Sequence, residues 1–198
     1  ISQMKKVNFK KGLMFLFVGL VAASCTKDVN EEPMETAPVT PDEEVMATTT
    51  TSTSVGTPIG FAMVNGTTTG GKGGKTVTVS TLSALQSAAK STSPTIIIVK
   101  GTIKGKEGIT VKSNKTIIGA SGATLDGPGL LMYGVSNIIV KNLTIKNAAS
   151  TDGITIKDKS HHIWIDHCTF ANPKYDGNLD ITQQSDFITV SWNKFTGA

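Results

Sequence analysis

Ser160-His161-His162-Ile163-Trp164-Ile165-Asp166-His167-Cys168-Thr169-Phe170 is answered 25 residues later by Ser185-Asp186-Phe187-Ile188-Thr189-Val190-Ser191-Trp192-Asn193-Lys194-Phe195. Within each stretch, inward and outward residue types alternate over three to five positions, the period of a short strand. Ile163-Trp164-Ile165 superposes on Ile188-Thr189-Val190, Cys168 on Asn193 and Phe170 on Phe195. Toward the N-terminus, Ile138-Ile139-Val140 and Thr116-Ile117-Ile118 continue the series. Matched positions fall at 116, 138, 163 and 188, in steps of 22, 25 and 25 residues. Leu143 and Ile145 extend the two flanking columns. Polar residues precede every strand: Ser113-Asn114, Ser136-Asn137, Ser160-His161-His162 and Ser185-Asp186.

A sustained period of this length is the mark of a solenoid. A helical solenoid would carry a 3.6-residue period inside each unit, and none is visible. A sandwich would need hairpin turns between the repeated strands, and the chain's Asn65-Gly66 does not lie between them. Coils of 22–25 residues have room for three short strands each. Equivalent residues then stack ~4.8 Å apart, building inner ladders of Ile, Val, Leu and Phe. The expected fold is all-β, a right-handed parallel β-helix spanning residues 59–198. Ahead of the repeats, Leu82, Leu85 and Ala89 have helical spacing, with Ser80 or Thr81 as N-cap. A short helix there would cover the open end of the first coil, and Ile96-Ile97-Ile98-Val99 supplies an early buried strand. The sequence stops at Ala198 just after the last repeated strand, so the solenoid is expected to be truncated at its C-terminal end.

The N-terminal third reads differently. Lys5, Lys6, Lys10 and Lys11 precede the apolar run Leu13 to Ala23, which has the proportions of an export signal. Ala22-Ala23-Ser24-Cys25 resembles the lipobox of bacterial lipoproteins, in which the cysteine is acylated. Cys25 is therefore the expected lipidation site and residues 1–25 a lipoprotein signal peptide. Residues 26–58 hold Pro33, Pro38, Pro41 and a Thr/Ser run, and carry a net charge of −6, which reads as a disordered acidic linker. The expected location is exported, lipid-anchored to a bacterial outer membrane or cell surface and otherwise secreted. The membrane is met only through that anchor. A disulfide between Cys25 and Cys168 is not expected, and Cys168 reads as a core residue.

Residues 59–198 carry 14 lysines against eight acids, and the whole chain contains no arginine. A basic domain favours an acidic partner. Scattered lysines without arginine or a basic-aromatic cluster exclude a nucleic-acid reader, and an acidic polysaccharide suits an exported protein better. The register places Ile156 on Ile181, Asp152 one rung from Gly177 and beside Asp176, and Asp180 one rung from Thr155. A bend at Gly177 is needed to bring Asp176 and Asp180 together. Such carboxylates are either surface turn residues or a site for an oxygen-loving cation such as Ca²⁺. His161, His162 and His167 read as turn and strand-edge residues rather than a zinc site. Gly70-Gly71-Lys72-Gly73-Gly74 lacks P-loop spacing and reads as a tight bend. Trp164 reads as packed against a neighbouring coil, and Trp192 as either core or rim.

Several segments together resemble the pectate lyase family (polysaccharide lyase family 1). They are Gly60-Phe61-Ala62, the Thr68–Gly74 glycine run, Ser113-Asn114-Lys115-Thr116-Ile117-Ile118-Gly119, Trp164-Ile165-Asp166-His167, and Asp176-Gly177-Asn178-Leu179-Asp180-Ile181 followed by Ser191-Trp192-Asn193. The resemblance implies calcium-dependent β-elimination of (1,4)-α-D-galacturonan, with Asp152, Asp176 and Asp180 as the Ca²⁺ ligands and polygalacturonate as the partner of a monomer. Ser150 stands where some relatives have a further acid. The family's proton-abstracting base is an arginine, expected beyond Ala198, so the 198 residues alone are expected to be inactive. Two rival readings remain: a pectin lyase acting on methyl-esterified substrate without calcium, and a non-catalytic glycan-binding or adhesin lipoprotein on the same fold.

Overall fold

A computed structural model describes residues 54–197. The expected signal peptide with Cys25, most of the expected 26–58 linker and Ala198 lie outside the described residues. A 3-10 turn at Gly60–Met63 leads into β1 (Lys75–Val79), α1 (Leu82–Lys90), β2 (Thr95–Val99), β3 (Thr102–Lys104) and β4 (Ile109–Thr110). The next coil holds β5 (Lys115–Gly119), β6 (Thr124–Asp126) and β7 (Leu130–Tyr133). Then come β8 (Ser136–Lys141), β9 (Thr144–Lys146) and β10 (Ile154–Lys157). Another coil is built from β11 (His161–Asp166), β12 (Thr169–Ala171) and β13 (Leu179–Ile181), and β14 (Asp186–Ser191) and β15 (Lys194–Thr196) follow.

From β2 onward every third strand pairs in parallel, and β1 adds to β2, giving three sheets that wrap one core. The first has the order β1-β2-β5-β8-β11-β14, the second β4-β7-β10-β13, and the third β3-β6-β9-β12-β15. This is the expected right-handed parallel β-helix, of about five turns. Its interior is a set of ladders. Ile97, Ile117, Val140 and Ile165 stack rung on rung, as do Ile138 and Ile163, and all six are fully buried. Ile145, Phe170 and Phe195 form another column, with the two phenyl rings stacked at 5.0 Å. The close rise between rungs suits β-branched side chains, which present the same shape at each level.

The helix is where the spacing predicts it. Thr81 is the N-cap, its side chain accepting from the Ala84 amide at 3.3 Å. Leu85 and Ala89 join the core, and the Ala89 carbonyl accepts from the Lys112 amide. The glycine run does form a turn before β1. A Cβ on Gly71 would stand 2.0 Å from the Thr95 carbonyl oxygen, so only glycine lets the two backbones approach.

Three expectations need correction. Ile138 pairs with Lys115 rather than Thr116, so the first step of the repeat is one residue longer than read from residue type. A one-residue slip exchanges the two faces of a strand. Thr116 therefore points away from the core, its hydroxyl accepting from the Gly71 amide, and Lys115 enters the inner column. Lys115 is fully buried, and its ammonium donates to the carbonyls of Ser93 and Ser113, both at 2.9 Å. Second, His161 and His162 open β11 instead of lying in a turn. His162 takes a left-handed φ of 54°, as do Asn114, Asn137 and Phe187 at the matching places (60°, 59° and 49°), so the same backbone conformation recurs at the strand starts whatever the residue type. Third, the bend lies at Lys174–Asp176 and at Asn178. Gly177 serves a different end, described below.

Burial without a carboxylate partner pushes the Lys115 ammonium below its ordinary 10.5. The unfolded chain then binds more protons than the folded one between that lowered value and 10.5. Stability is expected to rise with pH through this window, and the Lys115→Met variant to lack the rise. Urea midpoints at stepped alkaline pH check this; identical slopes in both proteins would contradict it.

Candidate acidic site on the second sheet

The register that builds the core also sets the acidic residues. Thr155 pairs with Asp180, and Ile156 with Ile181, as the sequence predicts. Asp152 precedes β10 and is buried to 7% exposure. One of its carboxylate oxygens accepts from the Gly177 amide at 2.8 Å, the other from the Thr155 hydroxyl at 3.1 Å. Gly177 is the neighbour of Asp176, and Thr155 the rung partner of Asp180. Asp152 thus sits between the chain segments that carry the other two aspartates. A Cβ at Gly177 would lie 3.3 Å from the Asp152 carboxylate, so glycine here makes room for that side chain rather than for a left-handed bend.

Asp176 and Asp180 are exposed. Among the described residues, no three His, Cys, Asp or Glu side chains gather tightly enough to form a metal group by themselves. The donor set nonetheless suits a hard cation. It is all oxygen, and each Asp152 oxygen keeps a lone pair beyond its present hydrogen bond. An ion on this face would complete its shell with water or with a ligand's own oxygens.

A pectate lyase family model matches residues 34–198. The chain belongs to the pectate lyase family. Probable pectate lyase B of Aspergillus terreus is 36% identical over 185 residues, covering 90% of this chain and 53% of that protein. The pectate trisaccharide-lyase of Thermotoga maritima is 39% identical over 154 residues, covering 70% of this chain and 42% of that protein. Among solved structures, a pectate lyase from Bacillus sp. N165 in complex with trigalacturonate superposes with a TM-score of 0.62 at 32% identity. That match covers 71% of this chain and 54% of the other. The chain spans about half the length of the curated relatives it matches.

Other residues that invite chemistry in this pectate lyase family member are bound into the frame. Asp166 is 1% exposed on the outer side of the first sheet. It accepts from Ser191 Oγ at 2.7 Å and from His167 Nδ1 at 2.7 Å, and pairs with Lys141 Nζ at 3.0 Å. Burial works to raise its carboxyl, yet the bonds from Ser191, His167 and Lys141 outweigh it and hold the pKa below the usual 3.8. Ser191 also accepts from Trp164 Nε1 at 2.9 Å. Its hydroxyl donates to Asp166, whose lowered pKa and bonds from Lys141 and His167 make it too weak a base to activate a nucleophile. Trp164 is buried, packed with Ala62, Ile139 and Val55, whereas Trp192 is exposed. Cys168 is a core residue whose thiol burial pushes up to about 12. His161 and His162 meet edge to face, and His162 lies against Phe187 with the rings tilted by 32° at 5.0 Å.

Sequence reasoning missed Thr155 as the hydroxyl that holds Asp152, and the Lys141–Asp166–Ser191 row. The row's signal was present: 141, 166 and 191 follow the same 25-residue step as the apolar column beside them.

Proposed function

We propose that this domain binds polygalacturonate through Ca²⁺ held by Asp152, Asp176 and Asp180, as part of a pectate lyase that cleaves (1,4)-α-D-galacturonan by β-elimination. The observation that carries it is the hydrogen-bonded chain from Gly177 through Asp152 to Thr155, whose rung partner is Asp180. Asp152 is held in one orientation by two donors, and Asp176 and Asp180 stand at the surface where a ligand can reach them. Calcium held by Asp152, Asp176 and Asp180 would supply Lewis-acid chemistry toward a uronate carboxylate, making the adjacent sugar proton more acidic. The aspartates orient that carboxylate, and the sheet beneath excludes water from one side of it. No residue among the 198 is an arginine, so the base is assigned to sequence outside them and the chain alone is expected to bind without eliminating. We further propose export through residues 1–25, acylation at Cys25, and a tether over 26–58 that carries the domain as a monomer.

Electrophoresis of this chain through gels containing polygalacturonate tests the reading. Retardation is expected with Ca²⁺ and not with a chelator, and much weaker retardation by fully methyl-esterified pectin. Calcium-independent retardation by both polymers would favour the glycan-binding or pectin lyase readings. The missing arginine is the feature that keeps the purely binding protein in view, and release of unsaturated product by this chain alone, seen by ultraviolet absorbance, would overturn the assignment of the base.

A further inference from the structure

The lysines that make contacts across the coils differ in what neutralises them. Lys141 and Lys146 face Asp166 and Asp126 at 3.0 and 3.7 Å, and Lys115 is buried against carbonyls. Lys157 is unlike these. Its ammonium lies 4.1 Å from the centroid of the Tyr133 ring, and it has no ion pair among the described residues. Tyr133 and Lys157 are rung partners on β7 and β10. Each stands two residues beyond a member of the Leu131–Thr155–Asp180 row. Strand alternation therefore puts them on the same outer face as Thr155 and Asp180, ~7 Å farther along. Tyr133 is 40% exposed, so the pair opens to solvent.

We propose that Lys157, held in place by Tyr133, binds the carboxylate of a uronate unit next to the one at the aspartates. This rests on the pectate reading above. The argument is electrostatic. A polyanion laid across a face bearing three aspartates is repelled wherever a cation does not intervene. A lysine paired with an acid would give up its charge to that acid; an aromatic face positions the ammonium and leaves the charge available. Lys157 is the binding residue, and Tyr133 acts through it as a positioning residue.

The test measures affinity of this chain for polygalacturonate in Ca²⁺ at low salt, with far-ultraviolet melting to show that each variant folds. Lys157→Gln is expected to bind about tenfold more weakly, the loss of one charge-assisted contact. Its binding should also depend less on salt. Tyr133→Phe keeps the ring face and is expected to match the unaltered chain, whereas Tyr133→Leu should weaken binding. Lys90→Gln, at the exposed end of α1, is the charge control and should change nothing. Lys157→Gln indistinguishable from Lys90→Gln would overturn the proposal while the pectate reading stood. Tyr133→Phe as weak as Tyr133→Leu would overturn the positioning role of the ring. Failure of the unaltered chain to bind polygalacturonate in Ca²⁺ would overturn the pectate reading and this inference with it.

Discussion

The Asp166→Ala variant is expected to lose about 3–5 kcal/mol of stability, the cost of breaking a buried ion pair by removing one partner. Lys141, at 15% side-chain exposure, would be left with no acid beside it. Ser191 and His167 would each lose an acceptor. Three successive coils meet at this carboxylate: Lys141 ends β8, Asp166 ends β11 and Ser191 ends β14. The loss should appear as a lower urea midpoint with an unchanged slope. A pH signature accompanies it. The folded pKa of Asp166 is depressed, so its contribution is complete above the unfolded value of 3.8 and fades as pH falls through the lower folded value. Asp166→Asn should lack this acid-side loss. A midpoint within about 0.5 kcal/mol of the unaltered protein would mean the row is a solvated surface cluster.

Phe170→Ala is expected to cost a similar amount, about 3–5 kcal/mol. The ring is fully buried in the third-sheet column between Ile145 and Phe195. It also reaches the site: a Cβ on Gly153, the neighbour of Asp152, would lie 3.1 Å from Phe170 Cδ1. The cavity left by alanine would open beneath the turn that presents Asp152, so affinity for polygalacturonate should fall together with stability. Phe170→Leu refills most of the space and should restore most of both. Thermal midpoints and gel retardation measured on the same samples check the coupling; a large stability loss with unchanged retardation would separate core from site.

The repeat made most of this architecture readable before any coordinates. Ile138, Ile163 and Ile188 share one ladder, and Ile156 and Ile181 another, because apolar residues facing the core recur with the coil. The reading slipped where the core accepts an unexpected side chain. Residue type matched Thr116 to Ile138, yet Lys115 holds that place, its aliphatic stem filling the inner column while two carbonyls cap the ammonium. His161 and His162 were read as a turn because their polarity hides the strand start, where a left-handed residue recurs in each coil. At the acidic site the Thr155–Asp180 rung was legible. The role of Gly177 was not, since a glycine that makes room and one that bends look identical in sequence. The Thr155 hydroxyl was not legible as the donor that holds Asp152, since that local contact depends on how the turn before β10 folds. The Tyr133–Lys157 pair escaped notice because its two members come from neighbouring coils.

The most direct measurement of the central claim is calorimetric titration of Ca²⁺ into this chain saturated with trigalacturonate. One site is expected, weakened at least about tenfold by Asp152→Asn, Asp176→Asn or Asp180→Asn taken singly. Calcium affinity unchanged in all three variants, or no binding by the unaltered chain, would contradict the account.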